Sequence, residues 1–154
     1  HVGAKDEIDD SGKVWKSLPV VMKELEHDWI DILKIDIEGS EYDVLNSLMD
    51  VYEKKDEQGN NMGILPFGQL QVEIHLFSPA MDPNPEHDEK TFERFLRFYE
   101  RLESFGLRPF WNELNLVAIL LSKFGDGLNV IEYSFLNTRG NHRFLQELGS
   151  KMEE

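Results

Sequence analysis

The stretch at residues 31–45, DILKIDIEGSEYDVL, most strongly constrains how this chain can fold. Its first half is rich in isoleucine and leucine, as expected for a buried β-strand that ends near Ile37. Gly39 interrupts this apolar run. Ser40 and Glu41 suit the first turn of a helix, where a capping side chain and a carboxylate are both favourable. The stretch therefore predicts a strand, a sharp turn and a helix, which together form half of a βαβ unit.

A second strand is predicted at residues 69–76, where apolar and polar residues alternate strictly. Between the two strands, an apolar stripe from Tyr42 to Tyr52 predicts a helix that is long enough for a crossover connection. We therefore expect residues 32–37 and 70–76 to form adjacent parallel strands, and we expect Asp36 and Glu38 at the carboxyl end of the first. In open α/β sheets, ligands bind outside the carboxyl ends of the strands.

The remaining elements follow from periodicity and from turn residues. Ser17 is expected to cap a helix at residues 18–25, and Gly106 is placed to end a helix at residues 89–105. Further predicted segments are loops at 54–63 and 78–88, strands at 107–111, 116–121 and 130–136, a turn at Gly125 and Gly127, and a short helix within 138–154. The late strands have no helix between them, which predicts an antiparallel hairpin at an edge of the sheet. The fold class is therefore α/β.

Composition limits the range of functions. The 154 residues fit one domain, and 40% hydrophobic with 30% charged residues is ordinary for a globular protein. With 30 acidic and 16 basic residues the net charge is −14, which opposes binding to nucleic acid or to an anionic membrane. The absence of cysteine excludes disulfides and thiolate metal sites. No apolar run approaches the roughly 20 residues of a membrane span.

The polar residues of the two central strands suggest a site. A register that places Lys34 beside Glu73 also places Asp36 beside His75, and both pairs are complementary in charge. We expect Lys34 and Glu73 to form the deeper, structural pair. Asp36 and His75 are expected at the carboxyl ends of the strands, within reach of a ligand, and Glu38 lies one step further out.

Three roles for these side chains are open. A carboxylate beside an imidazole fixes the tautomer and raises the basicity, so Asp36 and His75 can act as a general base. Alternatively, Asp36, Glu38 and His75 can bind a divalent cation such as Mg²⁺. The third reading is that His75 is a structural histidine with satisfied hydrogen bonds. These three residues are the candidate catalytic set, and they are also the candidate metal ligands.

Three segments resemble a known enzyme family. Residues 31–45 resemble the strand-four motif of FkbM-type methyltransferases, Val72-Glu73-Ile74-His75 resembles the family's strand five, and residues 132–137 (EYSFLN) resemble its last strand. The resemblance covers roughly residues 3–137. It implies a class I, S-adenosylmethionine-dependent enzyme with a Rossmann-like sheet. It also implies O-methyl transfer to a hydroxyl of a small molecule or glycan.

This sequence departs from the family pattern at the cofactor motif. Family members hold S-adenosylmethionine with a glycine-rich turn after strand one, whereas Gly3 stands alone here. We therefore expect residues 1–154 to be a single, incomplete domain that corresponds to the carboxyl-terminal half, strands four to seven. Asp36, Ile37 and Glu38 would be the remaining wall of the cofactor pocket.

Such a half-domain has two expected consequences. The chain alone should bind S-adenosylmethionine negligibly, and its uncovered sheet edge should be open to association with another chain. The alternative reading is a non-catalytic, acidic interaction module that uses the same sheet edge.

Overall fold

The computed structural model describes residues 1–75, 87–115, 130–140 and 142–150. In chain order the elements are β1 (Glu7–Ile8), β2 (Val14–Trp15), α1 (Leu18–Glu24), β3 (Ile30–Ile35), α2 (Glu41–Tyr52), β4 (Phe67–His75), α3 (His87–Ser104), β5 (Leu107–Leu114), β6 (Val130–Asn137) and α4 (Arg143–Ser150). The predicted strand at 116–121, the turn at Gly125 and Gly127, and residues 78–86 of the predicted loop lie outside the described residues. The predicted loop was wrong at residues 87 and 88, which already belong to α3.

Among the described residues, the main sheet has four strands in the order β3-β4-β6-β5. β3 runs parallel to β4, and α2 connects them along the chain, as the sequence predicted. β6 is antiparallel to both β4 and β5, so the antiparallel pairing predicted for the late strands is also confirmed. The chain is thus of the mixed α/β class, with β3 and β5 at the edges of the described sheet.

The core lies on one face of this sheet, beneath α2 and α3. The fully or nearly buried side chains include Leu45, Leu48 and Met49 of α2, Phe98 and Leu102 of α3, and Leu70, Val72 and Ile74 of β4. Their spacing of three to four residues in the helices and two in the strand produces these apolar faces. In α3 the spacing of the apolar residues predicts a buried stripe, formed by Phe92, Phe95, Leu96, Tyr99 and Leu102. This prediction was wrong in part, because Phe92 and Leu96 are 66% and 42% exposed.

Residues 1–16 are polar and contain glycine, a pattern that predicts a strand remnant followed by a loop, but residues 7–15 form a two-stranded hairpin. Asp9 stabilises the turn, because its carboxylate accepts hydrogen bonds from Ser11 and Lys13 N–H groups and from the Trp15 indole. Ser17 stands at the start of α1, but its hydroxyl donates to Asp6 and does not cap the helix. No helix in the described ranges is long and apolar enough to span a membrane.

The register between β3 and β4 differs from the predicted one by two residues. Lys34 pairs with Gln71 and Ile35 with Val72, and continuing this register brings Asp36 to Glu73. The predicted pairs, Lys34 with Glu73 and Asp36 with His75, were therefore wrong. A two-residue slide leaves every side chain on its original face, so alternation alone does not fix it. Lys34 is exposed because β3 is an edge strand, and it needs no buried partner.

Candidate active site

The turn between β3 and α2 has an unusual backbone. β3 ends at Ile35, so Asp36 and Glu38 follow its carboxyl end as predicted. Glu38 and Gly39 both have positive φ angles, of 55° and 102°. Glycine adopts this left-handed region without a steric penalty, whereas a residue with a Cβ pays about 1–2 kcal/mol. The turn therefore stores strain at Glu38, and other contacts must hold it in place.

Glu41, the first residue of α2, supplies those contacts. Its side chain is 0% exposed, and its Oε1 accepts hydrogen bonds from the N–H groups of Ile37 at 3.1 Å and Gly39 at 3.0 Å. The same oxygen lies 3.2 Å from Nδ1 of His75. A buried carboxylate requires such donors to offset its lost hydration, and each donor in turn becomes fixed in position. Glu41 thus joins the turn, the start of α2 and the end of β4.

His75, the last residue of β4, lies between two glutamates. Its side chain is only 13% exposed, and Nε2 lies 3.4 Å from Oε2 of Glu38, whose side chain is 86% exposed. The 3.2 Å contact with Glu41 Oε1 is a hydrogen bond in the tautomer that carries a proton on Nδ1, and we assign this tautomer to the neutral ring. This tautomer leaves Nε2 with a lone pair on the side that faces Glu38 and solvent.

Asp36 belongs to a second pair, with Glu73. Burial, followed by the hydrogen bond and the negative charge of Asp36, raises the pKa of Glu73. Asn115 acts in the opposite direction, because its Nδ2 donates to Oε1 of Glu73 at 2.6 Å. Burial and the neighbouring charge of Asp36 therefore both favour the protonated form of Glu73.

The candidate metal ligands divide between these two pairs. Asp36 lies with Glu73, while Glu38 lies with His75. Within residues 1–75, 87–115, 130–140 and 142–150, no group of three or more His, Cys, Asp or Glu side chains is placed to hold a metal ion. The two-residue shift in register accounts for this division, and we assign no cation to these residues.

A groove with a volume of about 580 Å³ opens beside the turn. The amino-terminal segment and Trp15 form one wall, and Ile37, Ser40, Asp43 and Val44 form the other. Ile37 is the member of the predicted cofactor wall that lines it. The groove presents apolar surface from an indole and several aliphatic side chains beside a hydroxyl and charged side chains, a mixture typical of small-molecule sites.

The sequence of the turn and of the strands around it matches a known domain. Residues 16–106 match the methyltransferase FkbM domain, and this segment covers more than half of the chain. The chain belongs to the FkbM methyltransferase domain family. The matched segment includes the β3–α2 turn, Glu41 and His75, whereas the motif at residues 132–137 lies beyond it. Comparisons with curated proteins and with solved structures gave no significant match.

The FkbM domain thus carries a site that the sequence predicted only in part. His75 and Glu38 come together, but the buried partner of the imidazole is Glu41, which the sequence suggested only as a favourable charge at the helix start. The sequence did contain a sign of this role. Glu41 comes two residues after Gly39, and from this position a side chain can reach back to the N–H groups of the turn. Asn115 was missed because no local pattern connects it with Glu73 across 42 residues.

Proposed function

We propose that this FkbM domain is the carboxyl-terminal portion of an S-adenosylmethionine-dependent catalytic domain that transfers a methyl group to a hydroxyl oxygen. The observation that carries the proposal is the Glu41–His75 pair, which lies where β3 and β4 end, in a chain that belongs to a methyltransferase family. The acceptor is a hydroxyl of a small molecule or glycan.

The residues of the pair have distinct tasks. Glu41 holds the imidazole in the tautomer with a proton on Nδ1 and stabilises the positive charge that develops on the ring. Nε2 of His75 would accept the proton of the acceptor hydroxyl and retain it, while bound S-adenosylmethionine would supply the methyl group to that oxygen. Glu38 lies beside Nε2 and orients the incoming hydroxyl.

The cofactor fits the groove beside the turn in chemical terms. S-adenosylmethionine supplies the methyl group and the sulfonium charge. Trp15, Ile37 and Val44 offer apolar surface to the purine, and Ser40 and Asp43 offer partners for the ribose hydroxyls. Asp36, Ile37 and Glu38 remain the predicted cofactor wall, and of these Ile37 lines the groove. The glycine-rich turn that the family uses for this ligand is not found in residues 1–154.

Calorimetric titration with S-adenosylmethionine tests the cofactor assignment. We expect negligible binding by residues 1–154 and clear binding by a longer protein that adds the upstream coding sequence. Micromolar binding by the 154 residues alone would show that the cofactor site was misplaced. Failure of the longer protein to bind would remove the methyltransferase assignment altogether.

Substitution of His75 and Glu41 tests the base. In the longer protein, His75→Gln and Glu41→Gln should each lower the rate of methyl transfer by about 10² to 10⁴-fold, the usual contribution of a positioned base. His27→Gln is the matched control, because His27 is exposed after α1 and touches neither pair. Thermal unfolding of each variant separates lost catalysis from lost folding. If the rate of methyl transfer by a folded His75→Gln protein fell by much less than tenfold, the assignment of His75 as the base would be wrong.

A second candidate function rests on the edge strand. β3 is the last strand on its side of the described sheet, and Ile32 on it is 48% exposed. An interaction module would use this edge to pair with an extended segment of another chain. Absence of cofactor binding by the longer protein, together with concentration-dependent association, would favour this function.

A further inference from the structure

A second groove, with a volume of about 550 Å³, lies at the other end of the sheet from His75. It borders the loop before β4, the end of α3 and the start of β5. Its charged lining residues are Lys55, Arg108, Arg139, Glu53 and Glu103. The amides of Asn60 and Asn61 and the hydroxyl of Ser104 complete a polar surface.

The charge of this groove differs in sign from that of the whole molecule. Three cations from three different segments face two carboxylates, while the chain as a whole has a net charge of −14. An acidic protein repels anions at long range, so a local positive surplus is where an anionic ligand can bind.

The ion pairs within the groove are loose. Nζ of Lys55 lies 3.8 Å from Glu53 Oε1, and Nη1 of Arg108 lies 3.9 Å from Glu103 Oε1. Both distances exceed those of a hydrogen bond, and exposed pairs of this kind contribute little to stability. Nη1 of Arg108 also donates to the carbonyls of Glu103 at 3.1 Å and Leu107 at 3.0 Å, so an incoming anion would use the other N–H groups of this guanidinium.

The loop that carries Lys55 is held in one conformation. The carboxylate of Asp56 accepts hydrogen bonds from the N–H groups of Gln58 at 2.9 Å and Asn60 at 2.8 Å. A β-bridge between Lys55 and Asn61 closes the loop. Binding then costs less conformational entropy than it would on a free loop.

Arg139 is also held in place. Its Nη1 donates to the carbonyl of Gly63 at 3.0 Å, and its aliphatic stem covers Gly106. Gly106 has a φ of +84°, and a Cβ there would lie 2.7 Å from Cγ of Arg139. Only glycine permits this close approach, so the guanidinium is positioned by packing before any ligand arrives.

We propose that this groove binds a phosphate or sulfate ester of a hydroxyl-rich small molecule such as a sugar. The anionic group lies among Lys55, Arg108 and Arg139, because guanidinium groups bind such oxyanions through paired N–H donors. The hydroxyls of the ligand donate to Glu53 and Glu103. A cavity of this size is in the usual range for small-molecule sites. This site is separate from the methyl-transfer site, and the proposal does not depend on that function.

Titration of the chain with glucose 6-phosphate, glucose 6-sulfate, glucose and inorganic phosphate tests the proposal, with backbone amide shifts as the readout. At least one ester should bind about tenfold more tightly than glucose or inorganic phosphate, and the shifts should centre on Gly59, Asn60, Asn61 and Ser104. The tighter of the two esters identifies the anion. The proposal would be overturned if neither ester showed saturable binding. It would also be overturned if inorganic phosphate bound as tightly as either ester.

Variants locate the binding. Arg108→Gln and Lys55→Gln should each weaken ester binding by about fivefold or more, as expected for the loss of one charge-assisted contact. Arg97→Gln removes the same charge outside the groove, where Arg97 pairs with Glu93 on α3, and should leave the affinity unchanged. Equal weakening by Arg97→Gln would indicate general charge attraction and overturn the site. If Arg108→Gln unfolds, Lys55→Gln still tests the proposal. The Lys55 side chain is 60% exposed, so its replacement should not disturb the fold.

Discussion

At the scale of single residues, the left-handed backbone conformation of Glu38 can be tested by substitution. Glu38→Gly and Glu38→Ala both remove the carboxylate next to His75, and they differ in whether a Cβ remains at a φ of 55°. Glycine relieves about 1–2 kcal/mol of steric cost in the folded state but loses about 0.4–1 kcal/mol through the entropy of the unfolded chain. We expect Glu38→Gly to be more stable than Glu38→Ala by about 0.5–1 kcal/mol in denaturant unfolding. An alanine variant of equal or greater stability would show that this left-handed conformation does not persist in solution.

The same residues show what the sequence could and could not predict. Residues 31–45 were sufficient to predict the strand, the glycine turn and the helix, because those features depend on local propensity. They were also sufficient to place Glu38 near the carboxyl end of β3. The pairing of His75 with Glu41 depends on the register between strands, which a period of two leaves undetermined.

At the scale of elements, the strands of the sheet bring three glutamates side by side. Glu132 of β6 pairs with Glu73 of β4 on one side and with Glu113 of β5 on the other, so the three side chains share a face. Like charges directly opposite each other destabilise a sheet by about 0.2–1 kcal/mol per pair. No sequence pattern predicted this row, because it depends on how the strands pair and not on the order of residues within any one strand.

Neutralising the middle member should therefore stabilise the sheet. We expect Glu132→Gln to raise the free energy of unfolding by about 0.5 kcal/mol at low salt and slightly alkaline pH, with a smaller gain at high salt because of screening. Glu57→Gln is the control, since Glu57 is exposed in the loop after α2 and shares no strand with other carboxylates. A loss of stability in Glu132→Gln would mean that the glutamates do not repel one another in this row.

At the scale of the whole molecule, acidic groups from neighbouring elements lie around Glu73 and oppose folding as the pH rises. Glu73 faces Asp36 from the turn after β3, Glu132 from β6 and His75 from its own strand, and it accepts a hydrogen bond from Asn115. Burial first, and then Asp36, raise the pKa of Glu73 above its ordinary value of 4.5. The folded state therefore binds a proton more tightly than the unfolded state does. The contribution of Glu73 to stability is complete below pH 4.5 and is lost as the pH rises through the pKa of Glu73 in the folded state.

Glu73→Gln should remove this pH dependence, because the amide is neutral at every pH while its oxygen still accepts from Asn115 and its nitrogen can donate to Asp36. We expect the difference in free energy of unfolding, variant minus wild type, to be smallest in acid and to grow in favour of the variant as the pH rises above 4.5. Denaturant unfolding at a series of pH values measures it, and Glu57→Gln again serves as the control. The control should give a difference that changes little over the same range, because its carboxyl is exposed. Parallel curves for wild type and Glu73→Gln would mean that Glu73 ionises in the folded protein as it does in the unfolded chain.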